Sequence, residues 1–322
     1  RRSSDLNHPQ TVPQQSLQGV LLFLTGLFLF SSVDSTAKYL TSFYSVQLLM
    51  WARFAVHLAI MLVAVAPGMG RELVITRRPG LMIFRALLLV ASSLFIQMAF
   101  RSQPLAETTA LVFLTPLLVA LLAGPMLGEK IHLRSWLATV AGFAGVLLIV
   151  RPGGDMDGVG VVYALGAALC YSLYQILTRK LAASEPPMRQ LFYLALVGSV
   201  VMSLFLPLFW TNTVPTLKQA ALILSLGLYG GAGHFLLIRA FHESPASRLA
   251  PLLYTQIVWA MLLGWMVFGH FPDHLSILGM LIIVVGIAIM IWQSIKRPAF
   301  FKGETLGMDA PASTRRLKEA AR

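Results

Sequence analysis

The sequence predicts an all-α integral membrane protein with ten transmembrane helices, arranged as two inverted five-helix repeats. Three observations predict it: an excess of apolar side chains, ten apolar segments of spanning length between short loops, and an ungapped internal match between the halves. Of 322 residues, 57% are hydrophobic and 12% are charged, and the mean hydropathy is +0.75. Soluble domains carry about 45–50% apolar and about 25% charged residues. The surplus therefore needs lipid as its solvent.

The ten segments are 17–40, 45–66, 79–100, 104–127, 132–150, 158–178, 187–210, 219–241, 246–268 and 275–292. Each approaches the ~20 mostly apolar residues that cross a bilayer core. The connections carry breakers such as Pro67-Gly68 and Pro152-Gly153-Gly154. In lipid a segment must pair its own backbone groups, which makes helices of continuous apolar runs, whereas barrel strands alternate. Pro116 and Pro251 should bend the fourth and ninth helices or free backbone acceptors there.

Loop charge sets the orientation. One set of loops holds Arg71, Arg77, Arg78, Lys130, Arg134, Arg179, Lys180, Arg189, Arg239 and Arg248, together with Arg1, Arg2 and the basic tail. The opposite set holds only Arg101, Arg151 and Lys218. Both termini are expected on the cytoplasmic side of a cell inner membrane. The net charge of +12 is explained by this topology and implies no nucleic-acid partner. Residues 1–16 show no signal-peptide pattern, and the tail 294–322 reads as solvated. The lone Cys170 lies in an apolar run and reads as a buried hydrophobe.

The internal match lies at an offset of 141 residues: Gly19 with Gly160, Ser31 with Ser172, Leu40 with Leu181, Pro104 with Pro245, Gly128 with Gly269, Ser135 with Ser276 and Gly145 with Gly286. It divides the chain into repeats 17–151 and 158–293. An odd number of spans per repeat inverts one half relative to the other. Transporters recurrently use that architecture, with a substrate site near the midplane between the halves.

The residues Ser31-Ser32-Val33-Asp34-Ser35-Thr36-Ala37-Lys38, Trp51-Ala52-Arg53-Phe54, Pro104-Leu105-Ala106-Glu107-Thr108-Thr109-Ala110, Leu127-Gly128-Glu129-Lys130 and Arg151-Pro152-Gly153 resemble the EamA family of the drug/metabolite transporter superfamily. The resemblance covers nearly all of 17–292. It implies a bacterial ten-helix permease that moves a small organic metabolite, most often outward. The family's range includes amino-acid derivatives, opine-type metallophores, nucleoside-like compounds, riboflavin and S-adenosylmethionine. The Leu-Gly-Glu turn degenerates to Phe268-Gly269-His270 in the second half, which points to a structural role for Glu129.

Ionisable groups inside spans are costly and face partners or wet cavities. Asp34 and Lys38 lie one turn apart, and Arg53 lies about 12 Å into the second helix at 1.5 Å per residue, a depth that suits a pair with Asp34. Glu107 could meet Lys38 at the outer start of the fourth helix. His57, one turn beyond Arg53, could carry a proton or pack. His234 sits beside Gly230, Gly231 and Gly233, where close helix approach or unwinding is favoured. Arg85 could attract an anionic group or snorkel to the cytoplasmic interface. Tyr171, Tyr174 and Gln175 share a face of the sixth helix, and Tyr254, Gln256 and Trp259 cluster in the ninth. Asp34 has Gln175 as its repeat counterpart, so the charge is asymmetric. Fixed ion-pair network and substrate or coupling site are both open readings of these charges.

No catalytic pattern, nucleotide-binding loop or metal-ligand cluster is present in the sequence, so no enzyme activity, cofactor or metal is expected. Active transport would draw on a gradient. Monomer and homodimer are both open. A non-transporting scaffold or sensor is the competing class.

Overall fold

The computed structural model describes residues 17–102, 105–129, 131–152, 157–210, 214–269 and 272–295. Among them there are helices and no strands. The first half comprises α1 (Leu17–Leu40), α2 (Val46–Ile60), α3 (Pro79–Ser102), α4 (Leu105–Val112), α5 (Thr115–Leu127) and α6 (Leu133–Val150). The second comprises α7 (Gly158–Ala182), α8 (Pro187–Phe205), α9 (Leu217–Glu243), α10 (Ala246–Leu249), α11 (Thr255–Phe268) and α12 (His274–Ile295).

The repeat is visible in where helices start and stop. Helices beginning at 17, 46, 105 and 133 have counterparts beginning at 158, 187, 246 and 274, each pair 141 residues apart. Gly128 and Gly269 end α5 and α11 with φ of +68° and +74°. A side chain disfavours that left-handed conformation, so glycine serves as the C-cap in both halves. Local caps start other helices: Ser45 accepts from Leu48 N, Asp157 from Gly160 N, and Thr216 forms a capping box with Gln219.

The fourth and ninth spans, read as single segments, are each broken. α4 and α5 are separated at 113–114 just before Pro116, and α10 and α11 are joined by a 3-10 turn, Ala250–Tyr254, that contains Pro251. The ring removes a donor and crowds the preceding turn. A π-helical turn, Met61–Val65, follows α2.

Eight described helices are long and apolar enough to cross a membrane. The apolar parts of the remaining pair are shorter, Ser135–Val150 and His274–Ile289. Sixteen residues extend about 24 Å at 1.5 Å each, short of a ~30 Å hydrocarbon core. Large apolar side chains such as Leu121, Leu137, Val162, Leu204, Leu224 and Val285 point outward, a surface that suits lipid rather than water.

The halves interlock. α1 packs mainly on α9 and α11, and its counterpart α7 packs mainly on α3 and α5; α2 meets α8 and α9, as α8 meets α2 and α3. Exchanging the halves reproduces the pattern. Several crossings depend on glycine. A Cβ at Gly279 would lie 2.6 Å from the Gly145 carbonyl where α12 crosses α6, and one at Gly26 would lie 3.1 Å from the Gly233 carbonyl where α1 crosses α9.

Candidate functional site

A column of polar side chains runs through the bundle between these interlocked helices. At the side of the bundle that carries loop 41–45, Asp34 on α1 is exposed and its carboxylate accepts from Gln256 Nε2 on α11 at 3.2 Å. Ser31 fixes the same neighbour by donating to the Gln256 carbonyl at 3.1 Å. Arg53 on α2 is half-buried, near enough to Asp34 and Tyr171 for their charges to interact. Among the described residues Arg53 and Asp34 form no direct ion pair. The Arg53 guanidinium instead donates to His234 Nε2 at 3.0 Å and lies 6.0 Å above the Phe30 ring.

The column continues inward. His234 Nδ1 is 3.1 Å from the Tyr174 hydroxyl, which also accepts from Arg85 Nη2 at 3.2 Å. Arg85 is fully buried, so it does not snorkel. Its Nε donates to Thr178 Oγ1 at 2.6 Å, its Nη1 to the Gln190 carbonyl at 3.1 Å, and its guanidinium lies 4.7 Å over the Tyr174 ring. Gln190 in turn donates to the Glu185 carbonyl at 3.2 Å. The Glu185 carboxylate, in the loop between α7 and α8, accepts from Thr76 and Arg189. Burial works against its ionisation, yet these hydrogen bonds prevail and hold its pKa below the ordinary value.

Glycines on α9 make this approach feasible. Cβ atoms at Gly230 and Gly231 would sit 2.7 Å from Arg53 Nε and 2.9 Å from His57 Cδ2. The flanking glycines thus seat α2 against α9, and α9 itself stays helical through His234 rather than unwinding.

The two sides of the column differ. Asp34 and Lys38 are exposed and the positions between them are half-buried, whereas the repeat equivalents of 34–37, Gln175–Thr178, are all buried. A recess therefore opens toward loop 41–45 and is sealed toward loop 183–186.

The structure brings Asp34, Arg53, Tyr171 and Gln256 to the recess, with His234 and Arg85 buried beneath it. Tyr171 stacks on Tyr174 at 5.8 Å between centroids. His57 packs on Gly231 with its Nε2 unpartnered. Gln175 is buried, and neither of its amide atoms has a partner among the described residues. Tyr254 stacks on Phe113 against Gly142, and its hydroxyl is likewise unpartnered. The side chain of Glu107, Trp292 and the segments 1–16 and 296–322 lie outside the described residues. Sequence reasoning missed Thr178 and Gln190. Only the spacing of Thr178, one turn past Tyr174, could have flagged it.

Glu129 sits apart from the column. Its carboxylate accepts from the backbone N–H groups of Ala246 and Ser247 at 3.1 and 2.9 Å, capping the start of α10, and lies 3.3 Å from Arg179 Nε.

The model of the EamA-like transporter family matches residues 17–151 and again 158–292. The chain belongs to that family. Such proteins, and the curated relatives below, are membrane transporters rather than enzymes. An S-adenosylmethionine uptake transporter of Rickettsia bellii is 29% identical over 86% of this chain and 94% of its own. A riboflavin transporter of Vibrio cholerae is 26% identical over 89% of this chain and 97% of its own. A pseudopaline exporter of Pseudomonas aeruginosa is 30% identical over 56% of this chain and 64% of its own. A solved crystal structure superposes with a TM-score of 0.73 at 21% identity, covering 87% of this chain and 99% of that one, and shares the fold. The chain is thus a multi-pass membrane transporter of the EamA family.

Proposed function

We propose that this transporter moves a small zwitterionic, amino-acid-derived metabolite across the inner membrane by alternating access between two inverted halves of five spans. The observation that carries this reading is the recess itself, where an exposed Asp34 and a half-buried Arg53 of opposite charge lie above a sealed floor. A guanidinium suits a carboxylate, and Asp34 suits an ammonium or sulfonium group. The half-buried Tyr171 ring offers a face to a planar group. With α6 and α12 counted as spans, loop charge puts the sealed floor on the cytoplasmic side and the open recess outside.

An outward-open recess suits loading from outside, and the similarity to uptake carriers spans most of the chain. We therefore take uptake as the direction and S-adenosylmethionine as the first compound to test. Export is the competing direction, favoured by the likeness to the pseudopaline exporter over part of the chain.

The test is counterflow. Proteoliposomes preloaded with unlabelled S-adenosylmethionine should transiently accumulate the labelled compound, and Arg53→Gln should abolish this while Asp34→Asn weakens the apparent affinity. Absence of counterflow with S-adenosylmethionine and with a panel of zwitterionic amino-acid derivatives would overturn the substrate class.

A further inference from the structure

His234 has an environment that fixes its protonation state by geometry. The side chain is 3% exposed and held between the Phe30 and Tyr174 rings. Its Nε2 lies 3.0 Å from Arg53 Nη2. A guanidinium has donors only, so Nε2 must present its lone pair. A neutral imidazole then carries its hydrogen on Nδ1, which donates to the Tyr174 hydroxyl 3.1 Å away. The hydrogen-bond network makes this assignment.

A proton on Nε2 would set N–H against N–H. Protonation of His234 and its contact with Arg53 therefore exclude each other. We propose that His234 is the proton-carrying group of this transporter and acts as a latch on Arg53, so that proton and substrate load together. This rests on reading the Asp34–Arg53 recess as the substrate site. A substrate carboxylate that draws Arg53 outward frees Nε2, and a proton from the water of the recess takes the lone pair. When the substrate leaves on the other side, the proton leaves as well and Arg53 closes on Nε2 again. On loading, the Nε2–H bond forms as an O–H bond of hydronium breaks and leaves water, and on release the proton returns to water. By linkage, proton and substrate each tighten the binding of the other, which defines symport.

The charged and titratable groups around His234 fit this. Arg53 and His57 face it from α2, Arg85 from α3 and Tyr174 from α7, while α8 contributes none among the described residues. Asp34 on α1 reaches the latch through its charge on Arg53. Of these groups Asp34 alone is a carboxylate, and its charge attracts Arg53. His57, although unpartnered at Nε2, touches Gly231 and makes no hydrogen bond to Arg53 among the described residues.

The experiment uses reconstituted full-length protein, labelled S-adenosylmethionine and an internal pH dye, with the potential clamped by valinomycin and equal potassium. For one proton per substrate, an inward gradient of one pH unit should hold about a tenfold accumulation, since one unit corresponds to a factor of ten in free-energy terms. Substrate entry should acidify the lumen. In His234→Gln the amide oxygen still accepts from Arg53 but takes no proton. In that variant the substrate that still enters should bring no proton, so accumulation and acidification per substrate transported are lost, while His57→Gln keeps the wild-type proton-to-substrate ratio. Accumulation that persists in His234→Gln, or its loss in His57→Gln alone, overturns the proposal. So does net wild-type uptake into vesicles holding no substrate without acidification of the lumen, a readout that decides even if His234→Gln fails to fold. Absence of wild-type counterflow would instead refute the substrate reading beneath it.

Discussion

Replacing Arg85 by methionine tests whether a buried cation holds this fold together or is merely tolerated by it. The guanidinium is fully buried and no carboxylate pairs with it among the described residues. Its three hydrogen bonds involve a charged donor and contribute about 1.5–3 kcal/mol each, with the Tyr174 ring adding about 2 kcal/mol when desolvated. Removing a guanidinium from water costs several kcal/mol per ion even after relaxation, and replacing buried ionic groups by well-packed apolar side chains of similar volume is often neutral. Nor does methionine orphan a donor. Thr178 keeps its bond to the Tyr174 carbonyl, and the Tyr174 hydroxyl keeps His234. Methionine fills most of the space with flexible apolar atoms. Arg85→Met should therefore change the apparent melting temperature in detergent by less than about 5 °C, given about 2–4 °C per kcal/mol at 150–250 residues. Arg85→Ala, which leaves a cavity costing about 2–5 kcal/mol, should melt clearly lower than Arg85→Met. If Arg85→Met melts as low as Arg85→Ala, the hydrogen bonds outweigh desolvation and the reasoning fails.

At the α6–α12 crossing, Gly279→Leu places a Cβ 2.6 Å from a backbone carbonyl that cannot rotate away; it should lower the melting temperature sharply, whereas Gly264→Leu, where a Cβ meets nothing within 4 Å, should not. Glu129→Gln weakens two bonds to the start of α10 and leaves Arg179 without its carboxylate. A helix-cap loss of about 0.5–2 kcal/mol is expected, measurable as reduced thermal stability, and an unchanged melt would exclude the capping role. Glu185 contributes a pH term. Because its folded pKa is lowered, the stabilisation is present above the ordinary carboxylate value of about 4.3 and is lost as pH falls through the lower folded value. Wild type should out-melt Glu185→Gln at pH 7 and the two should converge in acid; a gap independent of pH would show that the charge is not what matters.

The scaffold was legible because it is written in two periodic signals, apolar length and the 141-residue offset. Helix starts followed both, and Pro116 and Pro251 announced the breaks in the fourth and ninth spans. Nothing in Met61-Leu62-Val63-Ala64-Val65 announces a π turn. The site was legible in part. Depth along a helix placed Asp34 and Arg53 at similar levels, but depth carries no azimuth, so it could not reveal that Arg53 turns to His234, 181 residues away. Arg85 read as an isolated charge because two of its partners are a threonine and a backbone carbonyl, and an acceptor carbonyl leaves no mark in a sequence.

The inverse halves keep some interactions and abandon others along a physical line. Ser31 donates to the carbonyl of Gln256, and its counterpart Ser172 donates to the carbonyl of Thr115; both donors and both acceptors are 141 residues apart. A bond to backbone survives in both copies because every residue supplies the same carbonyl. The side chains one turn on do not match. Asp34 is exposed and bonded to the Gln256 amide, while Gln175 is buried with both amide atoms unpartnered among the described residues. A carboxylate at 175 would be an unpaired buried charge, more costly than an unpaired amide. With one side open and the other sealed, charge is tolerable at 34 and neutral polarity at 175. The repeat supplies two equivalent places for a polar group, and the charge occupies the one that water reaches in this state.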